Sequence, residues 1–318
     1  MNTLATVEKP ETNLIESKPT ALPAAAYVAS LRTAVSKAGI ESALNTAAEI
    51  VSGERNWRAV DWSRLNAAVA KAIMAKATGA AATRNKLLSA LKGTARAAWQ
   101  LGCIGLEDFE KIRSIKGDTA SRLPKGRDIR PTEIATLLDA CAADKTAAGR
   151  RDAAIFAIAA ATGARRAELA SIHFKDIRRE GELTVIRVIG KRDKERELYL
   201  HNGAQTALYD WLAIRGTYQG ALFNPIDKAG RIGREGLTTT AMHKILARRA
   251  IQAGIKNLTM HDFRRTVTGD LLDKGADIAS VASLLGHASV NTTARYDRRG
   301  QRARIAAAQL VSVPYKAA

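Results

Sequence analysis

Residues 261–296 read HDFRRTVTGDLLDKGADIASVASLLGHASVNTTARY, and this segment decides the fold of the second half of the chain. His261 and Arg264 stand three positions apart at its start. On a helix, that spacing places an imidazole and a guanidinium on the same face, one turn apart. A single histidine among apolar residues is commonly structural, whereas a His–Arg pair in a basic protein indicates contact with phosphate. Both interpretations stay open at this point.

The end of the same segment adds two more side chains that can bind or react. Gly286 follows a predicted helix over 277–285 and is typical of the left-handed residue that closes a helix. The resulting turn would expose His287, one of the five histidines of the chain. Tyr296 follows about two and a half helical turns later.

Two short segments earlier in the sequence carry further charged groups. In residues 162–169 (TGARRAEL), a glycine ends an apolar helix, and Arg165 and Glu168 would share a face of the next one and orient each other. Taken alone, this is an ordinary surface ion pair, worth about 0–1 kcal/mol. Lys191 lies in the charged turn 190–194 of a predicted hairpin, where a lysine is commonly only solvated.

The overall charge favours a nucleic-acid partner. The chain has 318 residues, with 50 Lys+Arg against 31 Asp+Glu and a net charge of +19. Neutralising duplex DNA releases counterions and drives binding of such a chain, although charge alone also allows an anionic membrane surface or an acidic protein. The longest apolar run, 153–161, is too short to span a bilayer.

The remaining composition indicates a cytoplasmic protein. Glu8, Glu11 and Glu16 interrupt the first 22 residues, which lack the apolar core of a signal peptide. Cys103 and Cys141 have no metal-ligand spacing, and we interpret both as reduced thiols in a core.

The first part of the chain is predicted to be helical, because apolar residues recur three and four positions apart in alanine-rich segments. A basic stretch with glycine and proline, 114–130, then indicates a linker. The helices are predicted over 22–37, 42–51, from Ser63 as N-cap past Ile73, 82–101 and 106–112.

The second part combines helices with one hairpin. Pro131 and Glu133 mark a helix start, and the run 150–161 is apolar on both faces, which indicates a central helix. Aliphatic and β-branched residues at 183–189 and 197–200 predict the two hairpin strands. Helices are expected again from about Thr238.

The whole set resembles the tyrosine recombinase (phage integrase) family, whose members carry Arg, Lys, His-x-x-Arg, His and Tyr in that order. The frames TG-x-R-x-x-E-L, the glycine–lysine hairpin, H-x-x-R, and LGH with a tyrosine nine residues on cover about residues 130–300. Such frames rarely occur together by chance. The resemblance implies a mainly α-helical fold with a small β-sheet or hairpin in the catalytic domain, and a two-domain, C-shaped clamp on DNA.

The resemblance also implies a domain plan and a set of catalytic residues. The domains would be a flexible N-terminus (1–20), a helical core-binding DNA-binding domain (21–115), a basic linker (116–130), the catalytic domain (131–300) and a tail for contact between subunits (301–318). The catalytic residues would be Arg165, Lys191, His261, Arg264, His287 and the nucleophile Tyr296, with Glu168 in support.

The roles follow from the family's chemistry. Arg165, Arg264 and His287 would bind the phosphate, His261 would accept the tyrosine proton, and Lys191 would protonate the leaving 5′ oxygen. The product would be a 3′-phosphotyrosyl link, formed without a metal ion or other cofactor. The partners would be double-stranded DNA with a specific site, three further copies in a tetramer on two DNA sites, and accessory DNA-bending proteins, with no membrane.

Some positions depart from the family pattern. Phe263 and Arg265 stand where leucine and histidine are usual, and Ala164 stands where leucine is common. The N-terminal helices also lack a threonine–tyrosine pattern often seen in the core-binding domain. Three rival functions therefore stay open: an idle DNA-binding or architectural protein of this fold, a type IB topoisomerase, and a telomere-resolving enzyme.

Overall fold

The structure is a computed structural model that describes residues 22–119, 127–190, 194–287 and 289–294. The chain divides into two compact units, Met1–Arg122 and Leu123–Ala318. The predictions for Lys191, Tyr296, the first 20 residues and the tail 301–318 lie outside the described residues.

In the described residues of the first unit, all regular structure is helical. Its core combines alanines with larger apolar side chains, among them Trp57 and Trp62, which are 3% and 2% exposed. Small side chains allow the helix backbones to approach closely. The elements are α1 (Leu22–Ser30), α2 (Ala34–Ser52), short 3₁₀ turns at Trp57–Ala59 and Trp62–Arg64, α3 (Ala67–Lys76), α4 (Ala81–Gln100) and α5 (Leu106–Arg113).

Two predicted helix boundaries in this unit are wrong. The break between the first two helices falls at Thr33, whose hydroxyl accepts the Ser36 N–H at 3.1 Å, and not between residues 37 and 42. Helix α3 is capped by Asn66 through a 3.0 Å bond from the Val69 N–H, and not by Ser63. Because asparagine and serine are comparable N-caps, composition did not separate them.

The second unit combines helices with a small sheet. The elements are α6 (Pro131–Ala143), α7 (Ala147–Thr162), α8 (Arg166–Ser171), a 3₁₀ turn at Phe174–Asp176, β1 (Ile177–Glu180), β2 (Leu183–Ile189), β3 (Glu195–Leu200), α9 (Asn202–Arg215), α10 (Thr239–Gln252), α11 (Met260–Asp273), α12 (Ile278–Leu285) and α13 (Val290–Ala294). The mainly helical class with a small sheet is therefore confirmed.

The sheet extends the predicted hairpin by one strand. Among the described residues it is antiparallel with the order β1-β2-β3, and Ile186 of β2 lies opposite both Ile177 and Leu198. Strand β1, which is mostly charged and exposed, and helix α9 were not predicted from the sequence. Strand β3 begins at Glu195, two residues earlier than expected.

Helix α7 lies at the centre of the second core, as the apolar run predicted. Residues Ile155 and Phe156 are each 1% exposed. Phe156 stacks on Phe263 of α11 with ring centroids 6.3 Å apart. This contact fixes the helix that carries His261 and Arg264. Within the described ranges, no helix has the length and apolarity needed to cross a membrane.

A buried carboxylate joins α7 to α10. Asp152 is fully buried and accepts hydrogen bonds from Arg151 (2.7 Å), Arg248 (3.1 Å) and Arg249 (2.9 Å). Several arginine contacts offset the cost of removing this charge from water.

The nearby Cys141 is buried, and burial raises the pKa of its thiol to about 12. Cys103 is exposed, so the prediction that both thiols are in a core is wrong for it.

Gly163, which ends α7, is a point of close approach to α11 and α12. It has φ +59°, and a methyl group there would lie 2.9 Å from Leu285 Cδ2 and 3.2 Å from Arg264 Cα. Gly254 has a similar φ of +67° but open space around it.

We expect Gly163→Ala to lower the free energy of unfolding by about 2–4 kcal/mol, since a left-handed alanine and an overpacked contact both cost energy. Gly254→Ala should cost only the backbone part, about 1–2 kcal/mol. Urea unfolding of both variants measures the difference. Equal losses would contradict the close approach.

Candidate active site

The C-terminal end of α12 is where the candidate side chains meet. The last carbonyls of a helix have no partner within the helix and carry a partial negative charge, so they attract cations. Here three successive carbonyl oxygens each accept a hydrogen bond from a different arginine. The pairs are Leu284 with Arg196 (2.6 Å), Leu285 with Arg264 (2.6 Å) and Gly286 with Arg165 (2.9 Å).

Arg165 and Glu168 are paired, as the sequence predicted. Arg165 is the N-cap of α8, and its backbone N–H donates to Glu168 Oε2 at 2.7 Å while its Nη1 donates to Oε1, also at 2.7 Å. The Arg165 side chain is 36% exposed and that of Glu168 only 2%. Burial would raise the pKa of Glu168, but the guanidinium groups of Arg196 and Arg165 hold it below its usual value. Glu168 is therefore a buried anion that orients Arg165.

Arg264 projects from α11 into the same cluster. It is 3% exposed, and its Nη1 donates to the Gly163 carbonyl at 3.0 Å. Its Nε donates to His287 Nε2 at 3.2 Å. The guanidinium thus joins the end of α7 to the turn after α12, and its plane is fixed by contacts on three nitrogens.

His287 follows the left-handed Gly286 (φ +63°), as predicted. Its Nδ1 lies 2.7 Å from the Thr293 hydroxyl, and its Nε2 accepts from Arg264. That pattern assigns the proton to Nδ1. Burial, followed by the charges of Arg264 and Arg165, lowers the pKa of His287 to about 4. The imidazole is therefore neutral at pH 7 and holds Arg264 as an acceptor.

A cavity of about 360 Å³ lies beside this cluster, and Arg165, His261 and Arg264 line it. Partial burial, and then the charge of Arg264, lower the pKa of His261. Its imidazole is thus neutral near pH 7 and can accept a proton. The remaining lining residues are Ala164, Arg166, His243, Thr259 and Met260.

The structure therefore brings together five of the seven residues selected from the sequence: Arg165, Glu168, His261, Arg264 and His287. Lys191 and Tyr296 lie outside the described residues, but their chain neighbours are near the cluster. A methyl group on Gly190 would lie 3.3 Å from Glu168 Oε1. Thr293 contacts His287.

Two residues at the candidate site, His243 and Arg196, were not predicted from the sequence. His243 lies on α10, and its frame carries no signal that separates it from other surface residues. Arg196 lies on β3, and its partners are 28 and 88 positions away along the chain. Such contacts leave no local spacing to detect. In the part of the chain that the structure describes, no three His, Cys, Asp or Glu side chains are placed to hold a metal ion.

Comparison with known proteins gives this geometry a context. The chain is 34% identical over 192 residues to the tyrosine recombinase XerC of Corynebacterium efficiens, an alignment that covers 57% of this chain and 59% of that protein. The chain thus spans about three fifths of the length of this relative.

Two solved structures share the fold. One is the integrase of the Tn1549 transposon in complex with a circular intermediate DNA, with a TM-score of 0.68, 18% identity, and 93% of this chain and 100% of that chain covered. The other is a lambda integrase tetramer bound to a Holliday junction, with a TM-score of 0.63, 15% identity, and 86% and 75% covered.

The family model described as the phage integrase family matches residues 127–302, which is more than half of the chain. The chain belongs to this family, which its sequence frames resemble.

The lowered pKa of His287 predicts a pH-dependent stability. In the unfolded chain the imidazole has its ordinary pKa of about 6.5, whereas in the folded state the pKa is about 4. The unfolded chain therefore binds the proton first as the pH falls, and stability is lost between pH 6.5 and 4. Because the side chain is partly exposed, we expect this group to contribute about 1–2 kcal/mol.

Urea unfolding at pH 7 and pH 5 tests this, with His287→Asn as the comparison. The variant should lose less stability than the wild type over this interval. An identical loss in both proteins would show that His287 is not the titrating group.

Proposed function

We propose that this protein is a site-specific DNA recombinase that cleaves and rejoins DNA strands through a covalent 3′-phosphotyrosyl bond to Tyr296. The observation that carries the proposal is the convergence of Arg165, Arg264 and His261 on one cavity, with His287 beside them. A phosphodiester under in-line attack gains negative charge on its non-bridging oxygens. Fixed cationic donors around that charge lower the barrier.

The cleavage step uses five of the seven candidate groups. The Tyr296 hydroxyl attacks phosphorus while its proton passes to His261, and the bond from phosphorus to the 5′ oxygen breaks. Lys191 gives a proton to that oxygen, which leaves as a free hydroxyl. Arg165 and Arg264 bind the non-bridging oxygens, a task that suits a planar guanidinium. A 5′ hydroxyl of another strand then reverses the step and releases Tyr296.

Substrate binding would change the state of His287. The imidazole is neutral because burial and neighbouring arginines depress its pKa. An incoming phosphate brings negative charge, which favours the protonated imidazole. His287 can then donate to the phosphate, while the arginines exchange part of their backbone contacts for phosphate oxygens.

DNA is the proposed partner of both units. Lys86 and Arg96 on α4 are exposed, and the chain as a whole carries a charge of +19. We propose that residues 21–115 bind the DNA backbone, 116–130 link the units, and 131–300 catalyse. By analogy with the lambda integrase tetramer on a Holliday junction, four copies would act on two sites. The tail 301–318 would contact a neighbouring copy, and accessory DNA-bending proteins would assist.

A covalent trap tests the reaction. DNA duplexes that bind the protein are first selected from a random library. Each duplex is then made with a nick one position from the candidate cleavage site. Cleavage then releases a short fragment that diffuses away, so the strand cannot be rejoined. We expect a protein–DNA adduct that survives denaturation and is absent with Tyr296→Phe.

The outcomes separate the rival functions. Selective binding without an adduct would mean an idle DNA-binding protein of this fold. Relaxation of any supercoiled plasmid without sequence preference would favour a type IB topoisomerase. Hairpin-ended products would favour a telomere-resolving enzyme.

A second prediction concerns the arginines. Arg165→Ala and Arg264→Ala should each slow adduct formation by about 100- to 1,000-fold, since each removes a donor to the transition state. Filter binding to the same duplex should change little. Arg178→Ala is the control, because Arg178 is an exposed arginine paired with Glu180 and Glu197 on the sheet. Arg264→Lys, which keeps the charge, guards against misfolding of the alanine variant. Unchanged cleavage in either alanine variant would contradict the assigned role.

A further inference from the structure

Arg196 is an arginine of the cluster that the cleavage step does not use. Its side chain on β3 is 8% exposed, against 36% for Arg165. Its Nη2 donates to Glu168 Oε2 at 2.7 Å, and its Nη1 donates to the Leu284 carbonyl at 2.6 Å. A buried guanidinium is costly unless its charge and N–H groups are satisfied. This one is satisfied by two partners that themselves hold other residues of the cluster.

Through these two partners, Arg196 contacts both the group that holds Arg165 and the helix end that carries His287. Arg165 Nη1 and Arg196 Nη2 donate to different oxygens of the Glu168 carboxylate. Arg196 therefore helps to hold the carboxylate that positions Arg165. Leu284 lies at the end of α12, three residues before His287. Arg196 thus connects β3, the N-terminus of α8 and the C-terminus of α12.

The packing around Arg196 is close. A methyl group on Gly286 would lie 2.8 Å from Arg196 Cδ and 3.7 Å from Arg165 Nη1. The turn that presents His287 therefore rests on the aliphatic part of the Arg196 side chain. If Arg196 were removed, Glu168 would lose one of its guanidinium partners and the Leu284 carbonyl would lose its donor. Both effects would loosen Arg165 and the turn.

We propose that Arg196 is a positioning residue, which holds Glu168 and the end of α12 so that Arg165 and His287 face one phosphate, and which does not contact the phosphate itself. As a role in cleavage, the proposal rests on the proposed function.

The alternative is that Arg196 only stabilises the fold. Arg249 provides a matched control for that role. It is also buried, at 2% exposed, and it also joins separate elements, through Asp152 at 2.9 Å and Asp144 at 2.6 Å. It does not line the cavity at the candidate site. Its loss should lower stability without moving Arg165.

The test compares Arg196→Met, Arg196→Lys and Arg249→Met in single-turnover cleavage of the nicked duplex at saturating protein. Partial unfolding lowers the amount of active protein, and so the amplitude, whereas mispositioning lowers the rate constant of folded molecules. We expect the rate constant of Arg196→Met to fall about 100-fold, as small displacements of reacting groups do. Arg196→Lys should recover part of the rate, because one ammonium reaches one partner and lacks the guanidinium fork. Arg249→Met should keep the wild-type rate constant.

Two results would overturn the proposal: a wild-type rate constant in Arg196→Met, or an equal fall in Arg249→Met. If the wild-type protein forms no adduct, the proposed function fails, and the positioning role is judged by nuclear magnetic resonance of arginine side chains. The Arg165 Nε–H signal, assigned with Arg165→Lys, should show faster motion in Arg196→Met and no change in Arg249→Met. An unchanged signal in Arg196→Met would reject the role independently of cleavage.

Discussion

The carbonyl groups at the end of α12 have no partner within the helix, and the rest of the candidate site depends on this constraint. A helix end must find donors for its last carbonyls, and here guanidinium groups from three separate elements supply them. Each arginine thereby gains a fixed position next to a partial negative charge. The same contacts bring like charges close together. Glu168, which is buried and ionised, offsets that repulsion between Arg165 and Arg196.

The packing of the second unit serves this arrangement. Helix α7 ends in a glycine that lets α11 and α12 approach, and the stacked rings of Phe156 and Phe263 hold α11 against it. The Asp152 cluster fixes α10 to α7 on another side. The second unit is thus held together by apolar contacts and by buried ion pairs.

Local spacing predicted those parts of the site that lie within one helical turn. The Arg165–Glu168 pair, the His261–Arg264 pair and the left-handed Gly286 all came from such spacing. Contacts between distant segments were not predictable in this way, and Arg196 is the clearest case. Prediction from the sequence also failed where the local signal was ambiguous or weak. Asn66 and Ser63 are both good N-caps, and β1 is too charged to read as a strand. Helix α9 was also missed, because its N-cap is His201, which is not a typical capping residue.

Because the arginines bind main-chain oxygens at the end of α12, the amino-acid sequence of this helix end can vary without loss of these contacts. A carbonyl group is present whatever the side chain, so the recognition of this turn by guanidinium groups does not depend on which residue stands at position 284. Position 285 is constrained by burial and position 286 by its positive φ. Changes at the half-buried position 284 can therefore accumulate while the anchoring points for the arginines persist. The polypeptide backbone, more than any side chain of this turn, stores the geometry of the site.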